Sequence, residues 1–258
     1  VSASSCRKET EELSLNPPER STFSRQIPQR LFEKLCRVKI YGDIHERATD
    51  LGIQLPLGSK RKNRLQQIRE ARTLFIHVPK NAGTSISQQL YGRSMRHETA
   101  RYYFHVAPDL KNPAVSRFAI WRDPVERFLS AYDFARAGGA GLATLHPRFR
   151  PLYRQFRSMD DALDHIEQAK SPYELDHVFR PQSWYVCDWN NRLLVDRLIP
   201  LTEITELPKI VPALTGCRIP HLNHTKRTTL RATPHQIDRI RRFYAQDEQL
   251  LHAPRANC

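Results

Sequence analysis

The sequence predicts an α/β fold, a P-loop-like three-layer arrangement with a central, mostly parallel sheet flanked by helices. Three observations carry that expectation. Short apolar runs alternate with helical patterns along most of the chain, which is how the strands and crossover helices of a parallel sheet are written. Two of those runs, TLFIHV (73–78) and SRFAIW (116–121), lead straight into a turn signal and a helix start. The hydrophobic fraction of 40% over 258 residues is enough for a real core and sets the chain apart from disordered sequences.

The elements follow in order. Residues 1–70 read as an N-terminal extension, helical and partly irregular, with charge clusters (RKETEE, GSKRKNR), breaks at NPPER and QLPLGS, and short helices over 29–39 and 64–71. Residues 71–258 form the main domain. TLFIHV, bounded by Pro79, is a buried strand. Thr84 and Ser85 are good N-cap residues, Ile86 and Leu90 stand at helical spacing, and Gly92 suits the helix end. SRFAIW is a second strand. Asp123 then serves as N-cap, with Pro124 at N1 and Glu126 at N3, and Val125, Phe128, Leu129 and Tyr132 give that helix its apolar face. It runs out in a flexible loop at GGAG (138–141). Helices are expected over 158–169 and 172–179, a third strand within RLLVDRLIPLTE (192–203), and one strong amphipathic helix over 234–251. No internal repeat is visible.

Charge narrows the partners. The formal net charge of +14, from 41 Lys+Arg against 27 Asp+Glu, suits an anion: nucleic acid, acidic lipid at a membrane surface, or a polyphosphate ligand. No zinc-finger, RNP or helix-turn-helix signature accompanies it, so no specific nucleic-acid partner is expected. The five cysteines contain no CxxC pair, which argues against zinc and for reduced thiols. There is no long apolar run, and the opening VSASSCRKETEEL has no signal-peptide core, so a cytoplasmic protein is expected.

The chemistry concentrates at the two strand–helix junctions. FIHVPKNAGTSI (75–86) presents backbone N–H groups at a helix start, which makes an anion site. Gly83 allows close backbone approach, Lys80 supplies a mobile cation, and Thr84 and Ser85 supply hydroxyls. It is not a Walker A loop, since the lysine precedes Gly83 by three residues instead of following a glycine. At the second junction, AIWRDPVERFLSAYDF (119–134), Arg122 ends the strand and is suited to bidentate phosphate recognition, with an ion pair to Asp123 or Glu126 as its plainer role.

Together the two motifs resemble those of the PAPS-dependent sulfotransferases (PAPS, 3′-phosphoadenylyl sulfate), and in particular the carbohydrate-type group that includes the heparan 2-O and chondroitin enzymes and many small bacterial members. HVPKNAGTS (77–85) is similar to the family's 5′-phosphosulfate loop, with Asn81 where Thr is common. RDPVERFLSAY (122–132) is similar to its 3′-phosphate motif, with the same spacing of eight from Arg122 to Ser130. PQSWYV (181–186), LTE (201–203), PHLNHTKR (220–227) and FYAQDEQLL (243–251) extend the likeness over about 72–251.

The resemblance implies PAPS as donor and no metal. It implies that the backbone of Asn81, Ala82, Gly83, Thr84 and Ser85 holds the 5′-phosphate, and that Lys80 neutralises the leaving oxygen. Arg122 and Ser130 then hold the 3′-phosphate and Arg227 binds the donor, in a polar loop that with His221, Asn223 and Lys226 closes over the donor or the acceptor, a solvated basic loop being its plainer role. The acceptor is a hydroxyl on a saccharide or glycolipid. His97, in RHETA (96–100), is the first candidate for general base and His105 the second, while His77 is structural and Glu98 and Glu203 are weaker alternatives. Tyr102, Tyr103, Trp121, Trp184, Tyr185 and Trp189 are candidates for a sugar cleft, with core packing as the default. A P-loop nucleotide kinase and a non-catalytic binder of adenosine phosphates or nucleic acid remain the alternatives.

Overall fold

The computed structural model describes residue 31 and residues 33–140, 143–217 and 230–252. A three-stranded parallel sheet forms its centre: β1 (Thr73–Ile76), β2 (Ser116–Trp121) and β3 (Arg197–Pro200), in the spatial order β1-β2-β3. Phe75 lies opposite Phe118, Ile76 opposite Ala119, and Ala119 opposite Leu198. That register sets the C-terminal ends of β1 and β2 side by side. The segments leaving them, 77–82 and 122–123, therefore emerge from one edge of the sheet, where parallel α/β folds bind ligands.

Helices fill the connections. α1 (Ile44–Asp50) and α2 (Ser59–Ala71) precede β1; α3 (Gly83–Tyr91) and α4 (Ala100–Val106) join β1 to β2. α5 (Pro124–Ala137), α6 (Met159–Glu167) and α7 (Gln182–Val186) lie between β2 and β3, and α8 (Pro234–Phe243) and α9 (Ala245–His252) follow. All four residues of β1 are buried, as expected for a strand covered on both faces. The core around the sheet takes Leu65 and Ile68 from α2, Ile86 from α3, and Tyr102 and Tyr103 from α4. A second core is built helix on helix from Phe128 and Tyr132 of α5, Leu163 and Ile166 of α6, and Ile240 of α8. Val38 joins the first core, so residues 38–71 pack on the main domain. The Tyr91 hydroxyl closes the free edge of β1, donating to Thr73 O (2.8 Å) and accepting from Phe75 N (3.0 Å).

Several expected elements take a different form. Thr84 and Ser85 are not N-caps. α3 begins at Gly83 behind Ala82, whose backbone is left-handed (φ 58°), so main-chain geometry and not a side chain starts this helix. The stretch 172–179 is two single 3₁₀ turns, Pro172–Glu174 and His177–Phe179, because Asp176 caps the second and breaks the run. The C-terminal helix is interrupted at Tyr244, whose hydroxyl turns inward to Phe179 O (2.7 Å). Gly138 ends α5 with φ 74°, as a left-handed cap; Gly139–Ala140 then pairs antiparallel with Ala143–Thr144 where a flexible loop was expected. Asp123 accepts from Glu126 N (2.9 Å) and Pro124 occupies N1, as the sequence predicts. Among the described residues, no helix is long and apolar enough to cross a membrane.

Candidate active site

The turn after β1 is strained where the anion was expected. Lys80 (φ 70°) and Ala82 (φ 58°) are both left-handed, two of five such non-glycine residues among those described, and they flank Asn81. Alternation of this kind turns successive N–H groups into one concavity, and strain of this kind collects at functional sites. No side chain caps α3, and the N–H groups of residues 81–84 find no backbone acceptor among the described residues. The carbonyls of the same turn are taken instead: His77 O by His97 Nδ1 (3.0 Å), Pro79 O by Arg127 Nε (3.3 Å) and Lys80 O by Arg122 Nη1 (3.4 Å). Among the described residues the loop is held through its carbonyls, while the backbone N–H groups of 81–84 have no backbone partner.

Gly83 is also required by packing. A Cβ there would overlap the imidazole of His77, which packs against this glycine. His77 is itself buried, with Nδ1 3.0 Å from Met95 O, and burial lowers its pKa to about 4; it is a structural neutral ring, as expected. The Asn81 side chain points inward, its amide donating to Ile120 O (2.8 Å) and Gln182 Oε1 (2.7 Å), so only its backbone is free for a ligand.

One face of α5 completes the cationic end. Glu126, Ser130 and Phe134 stack at intervals of four residues along this helix. Arg122 Nε lies 3.5 Å from Glu126, a pair whose carboxylate is largely exposed, and Lys80 Nζ stands 4.2 Å from the centroid of the Phe134 ring. Half-buried Ser130 is one turn from both Glu126 and Phe134, on the helix face that meets the two cations. Burial, followed by the like charge of Arg122, lowers the Lys80 amine to about 8.

His97 lies on the other side of the turn, half-buried. The carbonyl of His77 can only accept, so His97 carries its proton on Nδ1 and presents the Nε2 lone pair. Burial, then the neighbouring His77 and His177 rings, hold its pKa well below 6.5, so the ring is neutral at pH 7. His177 stands 5.7 Å from it, ring centre to ring centre, and contacts Asp43 (3.1 Å). Asp43 also meets buried Arg180 (2.5 Å); burial raises its carboxyl, but Arg180 and His177 overcome this and hold it far below the usual range. Residues 96–99 are gripped in turn from the N-terminal segment: Arg96 packs on Gly42, Arg61 and Arg64 pair with Glu98, and Glu46 accepts from Thr99 N (2.7 Å) and Oγ1 (2.8 Å).

The Sulfotransferase family model matches residues 68–252, most of the chain. The chain belongs to the sulfotransferase family. It is thus a member of a PAPS-dependent transferase family, and the family implies PAPS as donor. Comparisons with curated proteins and with solved structures gave no match.

Within this sulfotransferase the fold gathers Lys80, the backbone of 81–85, Arg122, Ser130 and His97 around one turn. His105 stays apart in the last turn of α4, its Nε2 enclosed without a partner among the described residues. Glu98 is a buried ion-pair residue. Arg227, His221, Asn223 and Lys226 lie outside the described residues. Of the six aromatic residues considered for a sugar cleft, only Trp189 is exposed, with Arg101 4.2 Å over its ring. Among the described residues, no group of His, Cys, Asp or Glu could hold a metal ion.

Sequence reasoning missed Arg127, Gln182, Asp247, Asp43, His177 and Glu46. Arg127 is fully buried and donates to Val178 O (3.2 Å) and Arg180 O (2.6 Å) as well as to Pro79. It stood inside the quoted RDPVERF, as Gln182 stood in PQSWYV and Asp247 in FYAQDEQLL. Asp43, His177 and Glu46 had no local signal.

Proposed function

We propose that this sulfotransferase moves a sulfuryl group from PAPS to a hydroxyl on a carbohydrate or glycolipid. The observation that carries the reading is the pair of cations Arg122 and Lys80, set against Glu126 and Phe134 on the face of α5 that also carries Ser130, beside a turn whose N–H groups at 81–84 have no backbone acceptor among the described residues. Free donors and lightly paired cations fit a donor with phosphates at two ends. The acceptor class rests on the likeness of both motifs to carbohydrate-type members.

When bound, PAPS supplies a sulfuryl group already activated by its attachment to a phosphate. The chain's own work is positioning and electrostatic stabilisation. The N–H groups of 81–85 hold the 5′-phosphate at the α3 N-terminus. Arg122 and Ser130 hold the 3′-phosphate, and Arg227 adds to the donor contacts. Lys80 leaves the Phe134 ring by rotation of its side chain and neutralises the oxygen that departs. His97 Nε2 accepts the proton of the acceptor hydroxyl as that oxygen bonds to sulfur, and Nδ1–H on the His77 carbonyl keeps the ring aimed.

Thermal unfolding with adenosine 3′,5′-bisphosphate tests the donor site. At a hundredfold excess over Kd the gain is about 2.7 kcal/mol, a rise of several degrees, with a much smaller rise from ATP. No shift with the bisphosphate would sink the reading. His97→Ala should keep that shift yet lower sulfuryl transfer from radiolabelled PAPS by about 10²–10⁴-fold across a panel of saccharide and glycolipid acceptors; near-normal transfer would remove His97 as the base.

A further inference from the structure

The two ends of the donor site are joined by a buried pair of amides. Gln182, the first residue of α7, is fully buried. Its Oε1 accepts from Arg122 N (3.2 Å) and its Nε2 donates to Arg122 O (2.8 Å), so the side chain pairs with this peptide as a strand would. A flipped amide would set NH₂ against N–H, which fixes its orientation. The same Oε1 accepts from Asn81 Nδ2 (2.7 Å), whose second N–H goes to Ile120 O (2.8 Å). Asn81 Oδ1 is buried without a partner among the described residues, a cost of about 1–3 kcal/mol. The residue therefore sits there for what its NH₂ spans, between the end of β2 and Gln182.

Gln182 has its own anchor. Its N–H and that of Ser183 donate to the two oxygens of Asp247 on α9, each at 2.8 Å, and this carboxylate is fully buried. Asn81 in turn lies between the two left-handed residues that shape the phosphate turn, Lys80 and Ala82. Any shift of that turn is thus passed through two side-chain amides to the main chain of Arg122.

We propose that Asn81 and Gln182 are positioning residues that couple the α3 N-terminus to Arg122, so that the two phosphates of the donor bind cooperatively. The proposal rests on the donor reading above. Neither side chain touches the ligand. Each acts by holding the turn and the arginine in one relative placement, so that ordering one end also orders the other.

Titration calorimetry on the full chain tests this with AMP and adenosine 3′,5′-bisphosphate. The ratio of their Kd values reads what the 3′-phosphate adds at Arg122, a residue to which the Asn81 side chain makes no hydrogen bond. Asn81→Thr keeps one donor and cannot reach both acceptors, so this ratio should fall at least fivefold from the wild-type value. Gln182→Met should lower it as much or more, and Asp164→Asn, an exposed change on α6, should leave it unchanged. A ratio within twofold of wild type in Asn81→Thr would overturn the brace, whether or not Gln182→Met folds. A wild-type protein that binds no bisphosphate would instead bring down the donor reading itself.

Discussion

The two sides of the candidate site are held by opposite means. The donor side, built from the turn after β1 and the start of α5, is fastened by carbonyls and amides: His77 O, Pro79 O, Lys80 O, Asn81 and Gln182. Its cations are loosely held, Lys80 by the Phe134 ring and the charge of Asp133, and Arg122 by the exposed Glu126 carboxylate and Lys80 O. The base side is fastened by charge, through Asp43 with Arg180 and His177, and Glu98 with Arg61 and Arg64. Cations stay lightly paired where an anionic ligand must bring its own charge. They are closed off where the protein must hold a neutral imidazole in place.

The contrast breaks most sharply at Asp43. Asp43→Ala leaves the Arg180 guanidinium buried and unpaired and should destabilise by about 3–5 kcal/mol in urea unfolding. Bisphosphate affinity, measured where the variant is still folded, should stay within about threefold of wild type, because the donor side hangs on other bonds. A loss of affinity in step with stability would mean that the two sides are one unit.

Lys80→Ala is the converse. It should lower kcat/KM for PAPS by two to three orders of magnitude, about 3–4 kcal/mol, and leave the urea midpoint nearly where it was. The same amine gives a pH test. With Lys80 lowered to about 8 by burial and then by Arg122, its charge is present below that pH and lost above it. The kcat/KM for PAPS should therefore fall above pH 8, about tenfold per unit at its steepest, and Lys80→Arg should push that limb out of range.

The smallest effect lies back on the base side. Burial pushes the Glu46 carboxyl up to about 8 from an ordinary value of 4.5. A raised folded-state pKa means that the folded protein holds this proton more tightly. The associated stability is full below pH 4.5 and is lost as pH rises through 8. Glu46→Gln should flatten that decline, by about 1 kcal/mol per pH unit, in urea midpoints compared between pH 5 and pH 8.

The two strand–helix junctions were legible in the sequence because their signals are local. SRFAIW and its Asp123-Pro124 start are written within a few residues, and the register of two parallel strands then brings the junctions together. The manner of the α3 start was not legible, because left-handed Lys80 and Ala82 take the place of a capping hydroxyl and leave no trace in residue type. The base side was hidden for a different reason. Glu46 reaches Thr99 across 53 positions and Asp43 reaches Arg180 across 137, and such pairings are decided by packing of α1 on the main domain. The family match begins at residue 68, so it covers the gripped residues 96–99 but not the residues that grip them from 42–64.

One small contact has a reach beyond mechanics. The His77 imidazole occupies the space in which any side chain at 83 would begin. The choice at 83 is therefore made at 77. A lineage that placed even a methyl at 83 would first have to surrender the ring at 77, the residue whose carbonyl holds His97. A side chain at 83 is thus bound to be answered at 77.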